Sequence, residues 1–167
     1  YEVKEGKIVL KVDPTVSEVR PYVVSAIVRN VKLDYDTVRE LMEMQEDLQW
    51  GVGRDRKKAS IGVHNLDVVE SPFAYTTSAP KDVKFVPLDK TEEMSLQEIL
   101  EKHEKGIAYK RHVDWASRYP LIVDRLGRVL SFPPIIIGEL TRVSERTRNL
   151  FIDVTGTEPN AISRSLN

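Results

Sequence analysis

Cysteine is absent from the 167 residues, which excludes disulfides, thiolate metal sites and a cysteine nucleophile. No apolar run approaches the roughly 20 residues that a bilayer-spanning helix needs. The opening Y-E-V-K-E-G-K is charged and has no signal-peptide core. An excess of positive charge is missing as well: the net charge is −1, so any contact with nucleic acid must come from local patches. Only His64, His103 and His112 supply imidazole, without an H-E-x-x-H or similar spacing, so no metal is expected. A Gly-rich phosphate loop, a nucleophile elbow and a Ser/His/Asp pattern are all lacking, and no cofactor is expected. The chain starts on Tyr1 rather than Met, which suggests a piece of a longer protein. A cytoplasmic setting without membrane contact is the simplest reading.

What is present fits one globular domain. Hydrophobic residues make up 41% and charged residues 31%, a normal mix for a chain long enough to bury its own core. Lys7 to Val12 and Pro21 to Asn30 read as strands, the second β-branched and central. Asp34 to Trp50 reads as a helix with capping-box spacing at Thr37 and Glu40. Val38, Leu41, Gln45 and Leu48 form its inner stripe, and Gly51 and Gly53 close it. Ala59 to Val63, Phe73 to Thr77 and Val83 to Val86 are further strands. Ser95 and Glu98 form a capping box that opens a helix to about Glu104. Ile107 to Ser117 reads as another helix, stopped by Pro120. Leu121 to Asp124 and Arg128 to Ser131 read as a hairpin around Gly127. Ile135 to Ile137 and Leu150 to Thr155 complete the β-rich second half. The expected class is α+β: a single domain of mixed or antiparallel β-sheets with flanking helices. Residues 1–19 are expected to be a linker or leading strand before a domain at 20–167.

Three places carry candidate chemistry. The strand Leu150 to Thr155 puts Leu150, Ile152 and Val154 on one face and Phe151, Asp153 and Thr155 on the other. A Phe beside an Asp and a Thr suits a pocket for an aromatic ring with a polar tip. The alternatives are a solvated edge strand, against which Phe151 on the same face argues mildly, and a structural pair of Asp153 with Arg142, Arg146 or Arg148. Glu139 follows Gly138 after a Pro/Ile run, as an exposed turn residue or as a half-buried carboxylate that needs partners. His64, in H-N-L-D, is a base, a hydroxyl acceptor or a hydrogen-bonded loop residue. The run Arg54-Asp55-Arg56-Lys57-Lys58 is the densest positive stretch, a solvated loop or a phosphate-binding patch.

Four longer motifs bring a family into view: R-x-R-K-K-A-S-I-G-V-H-N-L-D (Arg54 to Asp67), V-K-F-V-P-L (Val83 to Leu88), Y-P-L-I-V-D-R-L-G-R-V-L-S-F-P-P-I-I (Tyr119 to Ile136) and T-R-N-L-F-I-D-V-T-G-T (Thr147 to Thr157). From about Arg20 onward the chain resembles the editing domain of the beta subunit of phenylalanyl-tRNA synthetase, in its archaeal and eukaryotic cytosolic form. One position departs: Ile137 stands where the family usually reads Asn, in P-P-I-I-N-G. The resemblance implies hydrolysis of tyrosine wrongly attached to tRNA(Phe). In that reading Glu139 reads the phenol, with Ser131 and His64 as further polar groups and Leu121 in the ring-packing wall. Asp153 and Thr155 bind the substrate amino group or position the attacking water. Arg54, Arg56, Lys57 and Lys58 meet phosphates of the tRNA acceptor end. The resemblance also implies an alpha subunit as partner within a heterotetramer. No ATP-binding motif of a synthetase core is present, so amino-acid activation is not expected. The competing readings are a non-catalytic tRNA-binding or subunit-docking module and, with less support, a free-standing small-molecule binder.

Overall fold

The centre of the molecule is the strand Leu150 to Gly156, held on both sides by antiparallel neighbours. In the computed structural model, which describes residues 2–167, the elements run β1 (Leu10–Val12), β2 (Tyr22–Val28), α1 (Tyr35–Trp50), β3 (Ala59–Asn65), β4 (Phe73–Ser78), β5 (Lys84–Phe85), β6 (Met94–Ser95), α2 (Leu96–Lys102), α3 (Glu104–Tyr109), β7 (Tyr119–Val123), β8 (Val129–Phe132), β9 (Ile136–Ile137), β10 (Leu150–Gly156) and α4 (Pro159–Leu166). One sheet has the order β2-β10-β3 and the other β1-β4-β7-β8-β9; β5 and β6 form a small ribbon. Helices and mixed sheets in one domain make the fold α+β.

Register decides which side chains meet. β10 pairs Phe151 with His64, Asp153 with Gly62 and Thr155 with Ser60, so these six share one face. That face turns toward the second sheet: Phe151 stacks on Phe73 at 4.6 Å and joins Tyr75, Ile122 and Leu130 in a buried cluster. The opposite face sends Val154, Ile61 and Val63 against apolar residues of α1 and α4. A third cluster packs Leu96, Ile99 and Leu100 of α2 on Leu121 and Phe132 of the larger sheet. The result is a helix–sheet–sheet–helix stack. Because β10 is central, the face bearing Asp153 is covered, and the solvated-edge alternative is excluded.

Several local expectations shift. The first strand shortens to Leu10–Val12, and it pairs in parallel with β4. α1 is capped by Asp34, which accepts the Thr37 N–H at 2.8 Å, rather than by the Thr37/Glu40 box. Ser95 and Glu98 do form the capping box of α2. The helix expected over Ile107 to Ser117 is instead α3 followed by a 3-10 turn at Lys110–His112. His103, in extended conformation, ends α2 and caps α3 by accepting the Lys105 N–H, which moves the helix start forward. Pro120 lies inside β7 opposite Thr77. Gly127, at φ +78, makes the expected turn between β7 and β8.

Candidate functional site

A hollow of about 250 Å³ opens between α1, the edge strand β3 and the β8–β9 end of the larger sheet. It lies somewhat below the ~300–1,000 Å³ typical of small-molecule pockets, a size suited to an amino acid. Val38 and Met42 of α1 line one side. Phe132, Pro133, Pro134, Ile136 and Ile137 line the other, and Ser131, Gly62 and Asp153 are among the polar and backbone surfaces between. The stretch Val129 to Ile137 thus contributes an apolar wall around one buried hydroxyl.

Asp153 is 1% exposed and does not pair with Arg142, Arg146 or Arg148. Its Oδ2 lies 2.5 Å from His64 Nε2, and His64 Nδ1 lies 2.7 Å from Thr141 Oγ1. A buried carboxylate needs such a partner, since an unpaired one is very costly. Gly62 makes room for the pair: a Cβ there would stand 2.5 Å from Asp153 Oδ2 and 2.6 Å from His64 Nε2.

Thr155 belongs to a second buried cluster. The Arg20 guanidinium donates to Thr155 Oγ1 at 2.9 Å, to the Thr155 carbonyl at 2.8 Å, to Ser60 Oγ at 3.1 Å and to the carbonyls of Arg56 and Lys57. Burial brings the Arg20 guanidinium down to about 10, against the pull of Tyr75 and Asp153. The Tyr75 hydroxyl donates to the Arg20 carbonyl at 2.7 Å, and burial pushes its phenol upward. Arg20 ties the end of the central sheet to the turn before β3, where Arg54, Asp55 and Arg56 all have positive φ (51, 53 and 69). Three consecutive non-glycine residues in that region cost on the order of 1 kcal/mol or more each, so the surrounding bonds must hold them.

Glu139 stands half-buried beside the hollow. Arg142 donates to both its oxygens, at 2.7 and 3.1 Å, and the Asp89 N–H donates to Oε2 at 2.8 Å. The Arg142 guanidinium holds the Glu139 carboxyl below its ordinary value, with burial opposing and the Asp89 N–H assisting. Arg142 and Asp89, themselves paired, line the hollow, so Glu139 sits behind them, one residue back from its surface. Leu121 is 1% exposed and lies in the cluster behind Phe132, in the core rather than on the lining.

The basic run divides. Arg54 and Lys57 are exposed, and Lys58 pairs with Glu158 at 2.7 Å. Arg56 turns inward, 4% exposed. It donates to the carbonyls of Pro134 and Ile135 and to both oxygens of Glu46, and its guanidinium lies over the Tyr109 ring. The expectation of a phosphate contact at Arg56 is corrected on that ground: its donors are used within the fold.

Sequence reasoning missed Arg20, Gly62, Thr141 and Asp89, and it gave Arg142 a different carboxylate, Asp153 rather than Glu139. Gln45, expected on the inner stripe of α1, is buried beside the hollow, and so is Gln49, which that stripe did not include. Gln45 Oε1 and Gln49 Nε2 have no hydrogen-bond partner among the described residues. A glycine within a strand is a signal of close approach, and it marked Gly62; nothing local marked the others. Among the described residues no group of three or more His, Asp or Glu is arranged to hold a metal ion, and no helix is long and apolar enough to cross a membrane.

Comparison with known proteins agrees with this architecture. A phenylalanine–tRNA ligase beta subunit of Methanocorpusculum labreanum is 54% identical over 163 residues, 98% of this chain and 30% of that protein. The beta subunit of Methanosphaera stadtmanae is 48% identical over all 167 residues, again 30% of its length. The chain therefore spans about a third of these curated relatives. The crystal structure of an N-terminal fragment of the phenylalanyl-tRNA synthetase beta subunit from Pyrococcus horikoshii superposes with a TM-score of 0.90 at 41% identity, covering 99% of this chain and 50% of that one. The profile of the B3/4 domain covers residues 48–167, most of the chain and the lining of the hollow apart from Val38, Met42, Gln45 and Glu46 of α1, and on this ground the chain belongs to the B3/4 domain family, in a form similar to that carried by phenylalanine–tRNA ligase beta subunits.

Proposed function

We propose that this domain hydrolyses tyrosine wrongly esterified to tRNA(Phe), as the editing site of a phenylalanine–tRNA ligase beta subunit. The observation that carries the reading is the buried carboxylate of Asp153 facing an apolar, amino-acid-sized hollow. The aromatic ring lies against Phe132, Ile136 and Ile137, with Leu121 supporting that wall from the core. Asp153 takes the substrate ammonium or holds the attacking water, and Thr155, with Arg20 behind it, fixes the neighbouring strand. Water adds to the ester carbonyl carbon, and the bond to the ribose oxygen breaks. That oxygen takes up the proton, which leaves free tyrosine and an intact 3′ hydroxyl. The ester is already reactive, so holding water and ester in register supplies much of the acceleration.

Selectivity follows from the extra oxygen. An apolar pocket rejects an added hydroxyl only weakly. A site that offers it acceptors instead leaves them unpaired when phenylalanine enters, at roughly 1–3 kcal/mol for a buried group. Glu139, kept ionised by Arg142 and set one residue back from the surface, is the proposed acceptor, reached as Arg142 gives way to the phenol, with Ser131 on the lining as the second. Arg54, Lys57 and Lys58 meet acceptor-end phosphates, and the alpha subunit and a cytoplasmic setting complete the proposal.

The test is deacylation of Tyr-tRNA(Phe) by this chain, with Phe-tRNA(Phe) as control. The parent is expected to clear the tyrosyl ester at least about tenfold faster, since ~1.4 kcal/mol is a factor of ten. Glu139→Ala is expected to erase most of that preference. A parent that binds tRNA without cleaving either ester supports a non-catalytic module instead.

A further inference from the structure

Three side chains from three separate stretches form one buried chain beneath the hollow. Asp153 of β10, His64 of β3 and Thr141 of the 3-10 turn Glu139–Thr141 are 1%, 0% and 0% exposed. The links are 2.5 Å from Asp153 Oδ2 to His64 Nε2 and 2.7 Å from His64 Nδ1 to Thr141 Oγ1. Both nitrogens of His64 are thereby used, and the Phe151 ring stacks against the imidazole at 5.9 Å. With no exposed surface and no free nitrogen, His64 does not reach a molecule in the hollow. This changes the role expected from the sequence, where His64 contacts substrate.

We propose that His64 is a positioning residue that orients the Asp153 carboxylate, with Thr141 setting its tautomer and Gly62 providing the space; this rests on the hydrolysis proposed at the same site. A neutral imidazole has one donor and one acceptor nitrogen. Donation of Nε2–H to Asp153 leaves Nδ1 as the acceptor, and the Thr141 hydroxyl rotates to donate to it. The whole chain then points its donors at the carboxylate and keeps Asp153 an acceptor toward the hollow. The same arrangement of an orienting group behind a reacting one occurs wherever a buried partner fixes a tautomer. The turn that carries Thr141 also carries Glu139. The group that reads the phenol and the hydroxyl that sets the tautomer are therefore two residues apart on one 3-10 turn.

The test joins a spectroscopic readout to kinetics. In nitrogen-15 imidazole spectra of the whole chain, His64 is expected as the Nε2-protonated neutral tautomer, with a resonance that shifts in Asp153→Asn. Thr141→Val keeps the volume and removes the donor. It is expected to lower kcat for Tyr-tRNA(Phe) by about tenfold with KM within about twofold, the pattern of misplacement rather than weakened binding. Thr141→Ser is expected to restore kcat. An Nδ1-protonated ring indifferent to Asp153→Asn would overturn the proposal. So would an unchanged kcat in Thr141→Val, or a fall that Ser does not restore. Should the parent chain cleave no ester, the proposed hydrolysis fails, while the imidazole spectra still decide the role of His64.

Discussion

At the scale of single residues, charge is buried here only where it is answered. Asp124 closes the β7–β8 turn with its carboxylate buried. One oxygen accepts the N–H groups of Leu126 and Arg128, each at 3.0 Å, and the other accepts the Arg128 guanidinium at 2.7 and 3.0 Å. Burial raises this carboxyl, but the Arg128 side chain and backbone and the Glu70 N–H outweigh it, and the net position is below the ordinary value. A carboxyl lowered by folding stabilises the fold above its unfolded value of about 3.9, and that contribution disappears as pH falls through the folded one. Asp124→Asn turns an amide N–H₂ toward Arg128 or toward the turn N–H groups. It is expected to cost roughly 1–3 kcal/mol at neutral pH and to flatten the loss of stability below about pH 4. Urea unfolding at pH 7 and pH 3 reads both, and equal acid limbs for parent and variant would count against this account. Glu139 follows the same sign rule: lowered by Arg142, it stays an acceptor throughout the neutral range.

At the scale of elements, α1 forms one side of the hollow with a modest grip. Its fully buried positions are Gln45 and Gln49, while Val38, Leu41 and Leu48 are only half-buried. Gln49 Oε1 accepts the Ile61 N–H at 3.3 Å, which ties the helix to the edge strand β3. A helix held by so little apolar surface depends on its ends. Asp34 supplies the N-cap, accepting both the N–H and the hydroxyl of Thr37. Asp34→Ala is expected to lower stability by about 1 kcal/mol, visible as a lower chemical-denaturation midpoint with an unchanged slope. A variant as stable as the parent would place the start of α1 elsewhere. At its other end Arg56 takes over, bonding across to the carbonyls of Pro134 and Ile135. The two sides of the hollow are thus fastened together by a residue that looks, in sequence, like one more surface cation.

At the scale of the whole molecule, net charge is near zero, so attraction to RNA depends on where cations remain free. Arg54 and Lys57 are exposed beside the hollow's Arg56 end, whereas Arg56 is not available. If the proposed acceptor-end contact holds, Arg54→Ala with Lys57→Ala weakens tRNA binding. The steepness of its salt dependence should fall by up to about 0.7–0.9 for each phosphate left without its cation, whereas Arg56→Ala lowers stability instead. Binding measured across a salt series, beside a melting curve, separates the two. The sequence alone determined the α+β class, most strands, the α2 capping box, the alternation that put Asp153 and Thr155 on one face of β10, and the resemblance itself. These depend on local period, turn chemistry and motif order, all written along the chain. Only the tertiary structure decided that Asp153 meets His64 rather than an arginine, that Arg56 turns inward, that Leu121 lies behind the wall and that Arg20 holds Thr155. The hydrogen bonds from His64 to Asp153, from Arg56 to Pro134 and Ile135 and from Arg20 to Thr155 join residues 78 to 135 positions apart. They follow from sheet register and layer packing, which bring distant side chains into hydrogen-bond range without leaving a periodic trace in the sequence.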